Sequence, residues 1–434
     1  MHERVGGVVR HRCLQADGGC RLTTIAVTLH VTKRFEILVG MTSRRGTYRT
    51  GRDRIESIID AAHVLFVRNG YRATSLRDIA AEAGISHPAV LRYFATRGEI
   101  LTALITRLDA QSERIWGQGE WSDRVVPSAA AVARGSEAVP GWIELFTALL
   151  GEATSPGHPG HPMMLERRQE AQRRGRAFFE MHGLSAVEAD LAMTEVVAGW
   201  EGLQILALYF PGRIDIPAQL EAFERRVPHL VAASARPRTA AAHSDPVLPP
   251  SLAGDDARAR IVSAAAQLYA AHGYYETSMQ AVADKAGMTR AAVIHVAPTK
   301  QALLELVVAA LYSRVVDDPW VLRLDRLPRW VTAAEIVLLC EATVPAHPLH
   351  DRSAEQLEST RRELAALLEA QGVAGADAEA GADWQVAVGL GCMIAWLYEP
   401  DRIDPDAVLD AVKARILGEA AASDRVAPAI APGE

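Results

Sequence analysis

Gly70-Tyr71-Arg72-Ala73-Thr74-Ser75, followed by Asp78-Ile79-Ala80-Ala81-Glu82-Ala83-Gly84-Ile85-Ser86, is nearly said again further along the chain. The second version reads Gly273-Tyr274-Tyr275-Glu276-Thr277-Ser278, then Ala281-Val282-Ala283-Asp284-Lys285-Ala286-Gly287-Met288-Thr289, a gap-free shift of 203 positions. A later echo has a different offset. Tyr209-Phe210-Pro211-Gly212-Arg213-Ile214-Asp215 returns as Tyr398-Glu399-Pro400-Asp401-Arg402-Ile403-Asp404, and Glu152-Ala153-Thr154 as Glu341-Ala342-Thr343, both shifted by 189. A two-part protein has been duplicated within one chain, and the first copy carries 14 extra residues in its middle, the difference between the two shifts. Internal repetition of this kind fixes the architecture before any local reading.

The 434 residues therefore divide into two copies of about 180 each. Hydrophobic residues make up 49%, enough for a core in each copy. The net charge of −7 gives no global nucleic-acid signal, but residues 1–50 hold nine Lys/Arg against three Asp/Glu. Cys13, Cys20, Cys340 and Cys392 have no metal-ligand spacing, and a cytoplasmic setting is the simplest reading. No uninterrupted apolar run reaches the length of a membrane span, and none is expected.

Boundaries follow from composition and pattern. Residues 1–50 share nothing with the second copy and are expected to form a disordered basic extension. Residues 51–98 form a first three-helix unit and 99–232 a helical bundle. Residues 233–254, with Pro237, Pro246, Pro249 and Pro250, form a linker. Residues 255–301 and 302–421 repeat the two parts, and 422–434 form a tail. Apolar residues Ile55, Ile58, Ile59, Ala62, Leu65 and Phe66 recur at helical spacing, and no alternating strand is found, so the expected fold class is all-α. Gly70 and Gly273 are expected to close the first helix of each copy. Ser75 with Asp78, Ser86, Thr289, and Thr96 with Glu99 are expected to cap later ones.

A long helix, a short helix, a glycine turn and a second short helix is the helix-turn-helix layout, which places the second short helix in a DNA major groove. Small Ala80 lets the short helices cross closely, and Ile79, Ile85 and Val90 plug the crossing. From Gly70 through Arg97 the chain resembles the TetR family of transcriptional regulators. The resemblance implies two tandem TetR-like units, each a helix-turn-helix domain followed by a helical ligand and dimerisation domain. It implies phosphate contacts at Ser75, Ser86 and Arg97, and a DNA-facing surface at His87, Ala89, Arg92 and Tyr93. Arg44, Arg45, Arg49, Arg52 and Arg54 would form an arm reaching the adjacent minor groove. Leu91 stands where the family usually has Tyr, and Pro88 where it has a small residue.

The second copy is worn. Tyr93-Phe94 has become Val296-Ala297, and residues 255–306 carry five basic and five acidic groups, against eight and six over 52–108. Thr289, Arg290, His295 and Lys300 remain as candidate contacts, so this degenerate copy is either a weaker reader or a scaffold.

In the C-terminal halves, helices are expected over roughly 140–152, 162–182, 185–209 and 217–232, and over 328–342, 351–371, 379–398 and 405–418. Trp142, Phe146, Phe178, Met181 and Trp200 in the first copy, and Trp330, Trp384, Met393 and Trp396 in the second, are candidate walls of a pocket for a small apolar ligand. The bland alternative is ordinary bundle core. His158, His161 and His182 lie in or near a Pro/Gly loop without a carboxylate at ligand spacing, so no metal is expected, and no cofactor. Gly202 and Gly391 would permit close helix approach at a family-like dimer seam.

The leading function is a DNA-binding transcriptional regulator, usually a repressor in this family. The alternative is a sensing or adaptor protein with little DNA binding. An enzyme is not expected: no Ser/His/Asp set or phosphate loop is present. The partners are then an operator, a small ligand, and either the chain's own second half in an intramolecular pseudo-dimer or another chain in a homodimer.

Overall fold

Both copies fold as their helical periodicity requires, and the computed structural model contains no strand among the described residues. It describes residues 47–71, 73–116, 128–181, 183–230, 248–312, 322 and 324–426. By contacts the chain divides into residues 1–48 and 49–434, and apart from Thr47 and Tyr48 the described helical residues lie in the second unit. The basic arm's Arg44 and Arg45, and the side chain of Arg49, lie outside the described residues.

The first copy runs α1 (Thr47–Asn69), α2 (Leu76–Glu82), α3 (His87–Val90), α4 (Arg97–Trp116), α5 (Ala129–Glu137), α6 (Trp142–Glu152), α7 (His161–Met181), α8 (Ala186–Tyr209) and α9 (Ile216–Leu230). The second runs α10 (Pro250–Ala253), α11 (Ala257–Glu276), α12 (Met279–Ala286), α13 (Arg290–Val296), α14 (Lys300–Leu311), α15 (Arg329–Glu341), α16 (His350–Ala370), α17 (Gly375–Tyr398) and α18 (Pro405–Val426). The 14-residue surplus contains α5, which the sequence pattern does not reveal. Its buried face is Ala130, Ala131, Ala133, Gly135 and Ser136, too small to print an apolar stripe. Glu224 of α9 accepts from the Ala129 amide at 2.5 Å and so docks it. Among the described residues of that region the second copy has a 3-10 turn, Leu324–Arg326.

Two capping expectations need correction. Gly273 does bend the chain, at φ 69°, but a last helical turn continues past it to Glu276. Ser86 makes no side-chain cap, because Pro88 has no N–H to offer and the Ala89 amide bonds the Ser86 carbonyl at 2.9 Å instead.

The two copies meet along α8 and α17, and the contacts repeat under the 189 shift. A Cβ on Gly202 would lie 1.9 Å from the Ala387 carbonyl oxygen, and one on Gly391 would lie 2.0 Å from that of Ala198. Tyr209 donates to the Leu339 carbonyl at 2.7 Å, and Tyr398 to Leu150 at 3.3 Å. Tyr209 stacks on His350 and Tyr398 on His161, each at 5.3 Å. Burial drives both phenols well above their ordinary pKa, so they stay neutral donors. By length and composition α8 and α17 would each suffice to cross a membrane, but most of their surface is covered within the protein.

The symmetry fails, among other places, at a buried pair beside the seam. Arg168 of α7 donates to Glu201 of α8 and lies over the Tyr398 ring at 5.5 Å. The second copy has Leu357 and Leu390 at those places.

Candidate nucleic-acid interface

Each three-helix unit is held from beneath by one apolar layer. Ile58, Ile59, Ile79 and Val90 are fully buried in the first, and Ile261, Val282 and Val293 in the second. Ser75 and Asp78 close the expected capping box: the Ser75 amide donates to Asp78 at 2.8 Å and the Asp78 amide to Ser75 at 3.2 Å. The hydrogen bonds from Ser75 hold the Asp78 carboxyl below its ordinary pKa. Gly84 turns the chain at φ 64°, and the Ile85 amide returns to Ala80 at 2.9 Å. Thr96 caps α4 through the Glu99 amide at 3.2 Å, while Glu99 reaches the Ala95 amide at 2.8 Å.

The recognition segments differ in an unexpected direction. In the first copy α3 is a single turn that opens after Val90 into Leu91–Tyr93, anchored by buried Phe94. In the second copy α13 runs seven residues, and Thr289 caps it through the Ala292 amide at 3.2 Å. Ala297, which replaces Phe94, is fully buried, so the shortened side chain still seats the segment. The wear visible in the sequence has not cost the second copy its local helix.

The candidate contact residues divide into two groups. Ser75, Ser86 and Arg92 are exposed, with His87, Ala89 and Tyr93 half-buried beside them; Thr289, Arg290 and His295 are exposed in the second copy. Arg97 and Lys300 instead turn inward. Arg97 donates to the Thr74 carbonyl at 2.9 Å, lies over the Tyr71 ring at 4.6 Å and pairs with Glu276 of the other copy. Lys300 donates to the Tyr275 carbonyl at 3.0 Å and lies over the Tyr274 ring at 4.6 Å. Burial lowers the Lys300 pKa. Partners 179 positions apart, such as Arg97 and Glu276, leave no local signature.

A second set of contacts joins the second three-helix unit to its bundle. Glu341 accepts from the Tyr274 and Tyr275 amides at 2.8 and 3.3 Å. His347 packs edge-on to both rings at 5.4 and 5.5 Å, and its Nδ1 accepts from the Leu349 amide at 3.1 Å. Burial, and secondarily His350, push the His347 imidazole down to about 4. Its counterpart His158 faces Glu152 at 3.3 Å, while His161 bonds the Ala153 carbonyl at 2.7 Å. His182 lies outside the described residues.

The His347 environment predicts an acid weakness. An unfolded imidazole takes a proton near pH 6.5, whereas folded His347 resists it down to about 4. Between those values the unfolded state binds more protons, so stability falls as pH drops through that window, by at most about 3 kcal/mol. Thermal melts of the wild type and His347→Gln from pH 7 to 4 test this. Parallel curves would count against it.

The candidate ligand residues are mostly closed on themselves. Trp142 donates to Asp109 at 2.9 Å, stacks on Phe146 at 4.6 Å and faces Trp200 at 6.5 Å. Arg167 bonds Asp109 at 2.5 Å and covers both the Trp142 and Phe146 rings. Met181 is 70% exposed at the end of α7 and lines no interior space. Trp384 sits in the seam between copies rather than in a pocket, with its Nε1 on Glu195 at 2.8 Å. Trp330 and Trp396 are half-buried and Met393 is buried. The side chain of Phe178 lies outside the described residues.

The second copy has lost the aromatic filling, with Val331, Glu335 and Gly389 where the first has Trp142, Phe146 and Trp200. Gly389 is buried, yet a Cβ there would meet nothing within 4 Å. One turn earlier on α17, both amide atoms of Gln385 are buried without a hydrogen-bond partner, as is the Thr332 hydroxyl on neighbouring α15. Sequence reasoning missed these residues. Its available signal was one glutamine inside an apolar helix.

Comparison with known proteins agrees with this geometry. The family profile described as bacterial regulatory proteins, tetR family, matches residues 58–104 and again 261–307. An HTH-type transcriptional regulator of Mycobacterium bovis and an HTH-type transcriptional repressor of Mycobacterium tuberculosis are each 38% identical over 80 residues, 17% of this chain and 43% of the relative. The chain thus spans less than half the length of these curated relatives.

Proposed function

This chain belongs to the tetR family through two helix-turn-helix units carried in tandem, and on that premise we propose that it is a cytoplasmic transcriptional regulator that represses by occupying an operator. The observation that carries the reading is the pair of docked helix-turn-helix units, each with an exposed polar recognition face above a buried apolar layer. The α8–α17 packing supports an intramolecular pseudo-dimer. Because Arg92 and Tyr93 face His295 and Val296 as counterparts, the operator would have unlike half-sites.

Base reading falls mainly to the first copy. Arg92→Ala is expected to weaken operator binding by about 1–3 kcal/mol, and His295→Ala by less. Gel-shift titration on DNA upstream of the chain's own gene, at fixed salt, measures both. Equal losses would sink the asymmetry, and no shift by the wild type would favour an adaptor that does not bind DNA.

The sensing site belongs to the second copy. An apolar molecule with one hydrogen-bonding group would fill the space beside Gly389 and satisfy Gln385. Binding there would reach the DNA-facing unit through α15 and Glu341, which holds the Tyr274 and Tyr275 amides.

A further inference from the structure

The seam discriminates between halves, and we propose that it is built to pair a first half only with a second. The inference rests on the pseudo-dimer reading and adds a rule about which surfaces fit. In a symmetric pair, certain positions face their own counterparts across the axis. The 189 shift identifies two of them here, 151 with 340 and 195 with 384. At both, the two halves carry residues of opposite character.

Gly151 faces Cys340, and a Cβ on Gly151 would lie 2.6 Å from the Cys340 Cβ. Two second halves would place cysteine on both sides at that separation, closer than carbon atoms pack. Glu195 faces Trp384. The indole donates to the carboxylate at 2.8 Å and lies across Gly199, where a Cβ would come within 2.5 Å of the ring. The counterpart of Gly199 is Val388, so two second halves would drive each Trp384 into a valine. They would also leave buried Arg415 facing Trp384 instead of Glu195, its present ion-pair partner. Phe223 stacks on Trp384 at 5.4 Å and Arg415 covers Phe223 at 5.3 Å, so the charge and the rings form one cluster.

Two first halves fail differently. By sequence Arg226 corresponds to Arg415, so the halves do not differ in residue type there. The indole is missing, however, which leaves two buried carboxylates face to face and two glycine hollows unfilled. The close crossing itself does not discriminate: Gly202 against Ala387 and Gly391 against Ala198 recur in any combination. Selection therefore lies at the self-facing positions 151/340 and 195/384 and at the residues packed on them, such as Gly199 and Val388.

The test uses the full chain with a protease site placed within residues 238–243 and cut after folding. Nitrogen-15-labelled and unlabelled cut protein are mixed, and native mass spectrometry follows the species. The wild type is expected to give only unlike pairs, with labels mixed as exchange proceeds. Trp384→Glu, which makes that position alike in both halves, is expected to lower the ratio of unlike to identical pairs at least tenfold. A near-statistical mixture from the wild type overturns the proposal, as does an unchanged ratio in the variant. If the wild type never exchanges, exchange in Trp384→Glu supports the lock and its absence overturns it. Circular dichroism of the uncut variant checks its folding, and Trp384→Phe, which keeps an aromatic knob, should retain unlike pairing. Gel-shift on the cut protein separates the readings. Lost DNA binding with unlike pairing intact removes the operator reading alone, and free reassortment with DNA binding intact removes the lock alone.

Discussion

Gly202→Val is expected to destabilise the protein by about 4 kcal/mol or more, among the largest effects available to one substitution. The added Cβ would sit 1.9 Å from the Ala387 carbonyl oxygen and 2.6 Å from its Cα. These are backbone atoms of a packed helix, so no side-chain rotation relieves the overlap, and the two helices must separate. Moving them apart would also stretch the hydrogen bonds of Tyr209 to Leu339 and Tyr398 to Leu150. Gly391→Val should behave alike, since it meets Ala198 at 2.0 Å. Gly418→Ala is the control: a Cβ there meets nothing within 4 Å, and the change should be neutral or slightly stabilising. Denaturant titration decides it, and a Gly202→Val protein within about 1 kcal/mol of wild type would mean that the helices do not cross at this point.

Arg168→Leu is expected to cost about 3–5 kcal/mol, because it leaves Glu201 charged, buried and without its cation. Burial already raises the Glu201 pKa, and Arg168 is what opposes it. Without Arg168 that pKa rises further. The folded variant then binds a proton that the unfolded chain binds only at lower pH, so its deficit should shrink as pH falls and be fully present at neutrality. The chain contains its own control, because Leu357 and Leu390 fill the matching places in the second copy. Arg168→Leu with Glu201→Leu together should therefore recover most of the loss. A double variant no better than the single would show that the pair does more than satisfy itself.

The sequence carried the fold well wherever structure is dictated by neighbours in the chain. The long helices begin and end within a few residues of expectation, and α18 continues to Val426, beyond the expected 418. The Ser75–Asp78 box and Gly84 turn are local chemistry, whereas the close crossing at Gly202 and Gly391 was expected from the family resemblance, since its partners are Ala387 and Ala198. What escaped was set by partners far away in sequence. Arg97 is held by Glu276, and Trp384 by Glu195, 179 and 189 positions off. Trp142, Phe146 and Trp200 are conspicuous as aromatic residues, yet nothing local says that Arg167 and Asp109 close them into packing. Gln385 was hidden for the opposite reason, as one polar residue in an apolar run. Helix α5 was missed because its buried face is alanine, glycine and serine.

The Glu195–Trp384 contact also bears on how this chain can change over generations. In an assembly of identical subunits, a mutation at a self-facing position arrives on both sides at once and must be compatible with itself. Here the two sides are separate codons. A larger residue on one side can be matched by a smaller one on the other, and a new charge by its opposite. Fusion of the copies has thus opened substitutions at the axis that a symmetric ancestor would have had no viable route to fix. Each one accepted makes a return to two interchangeable subunits harder.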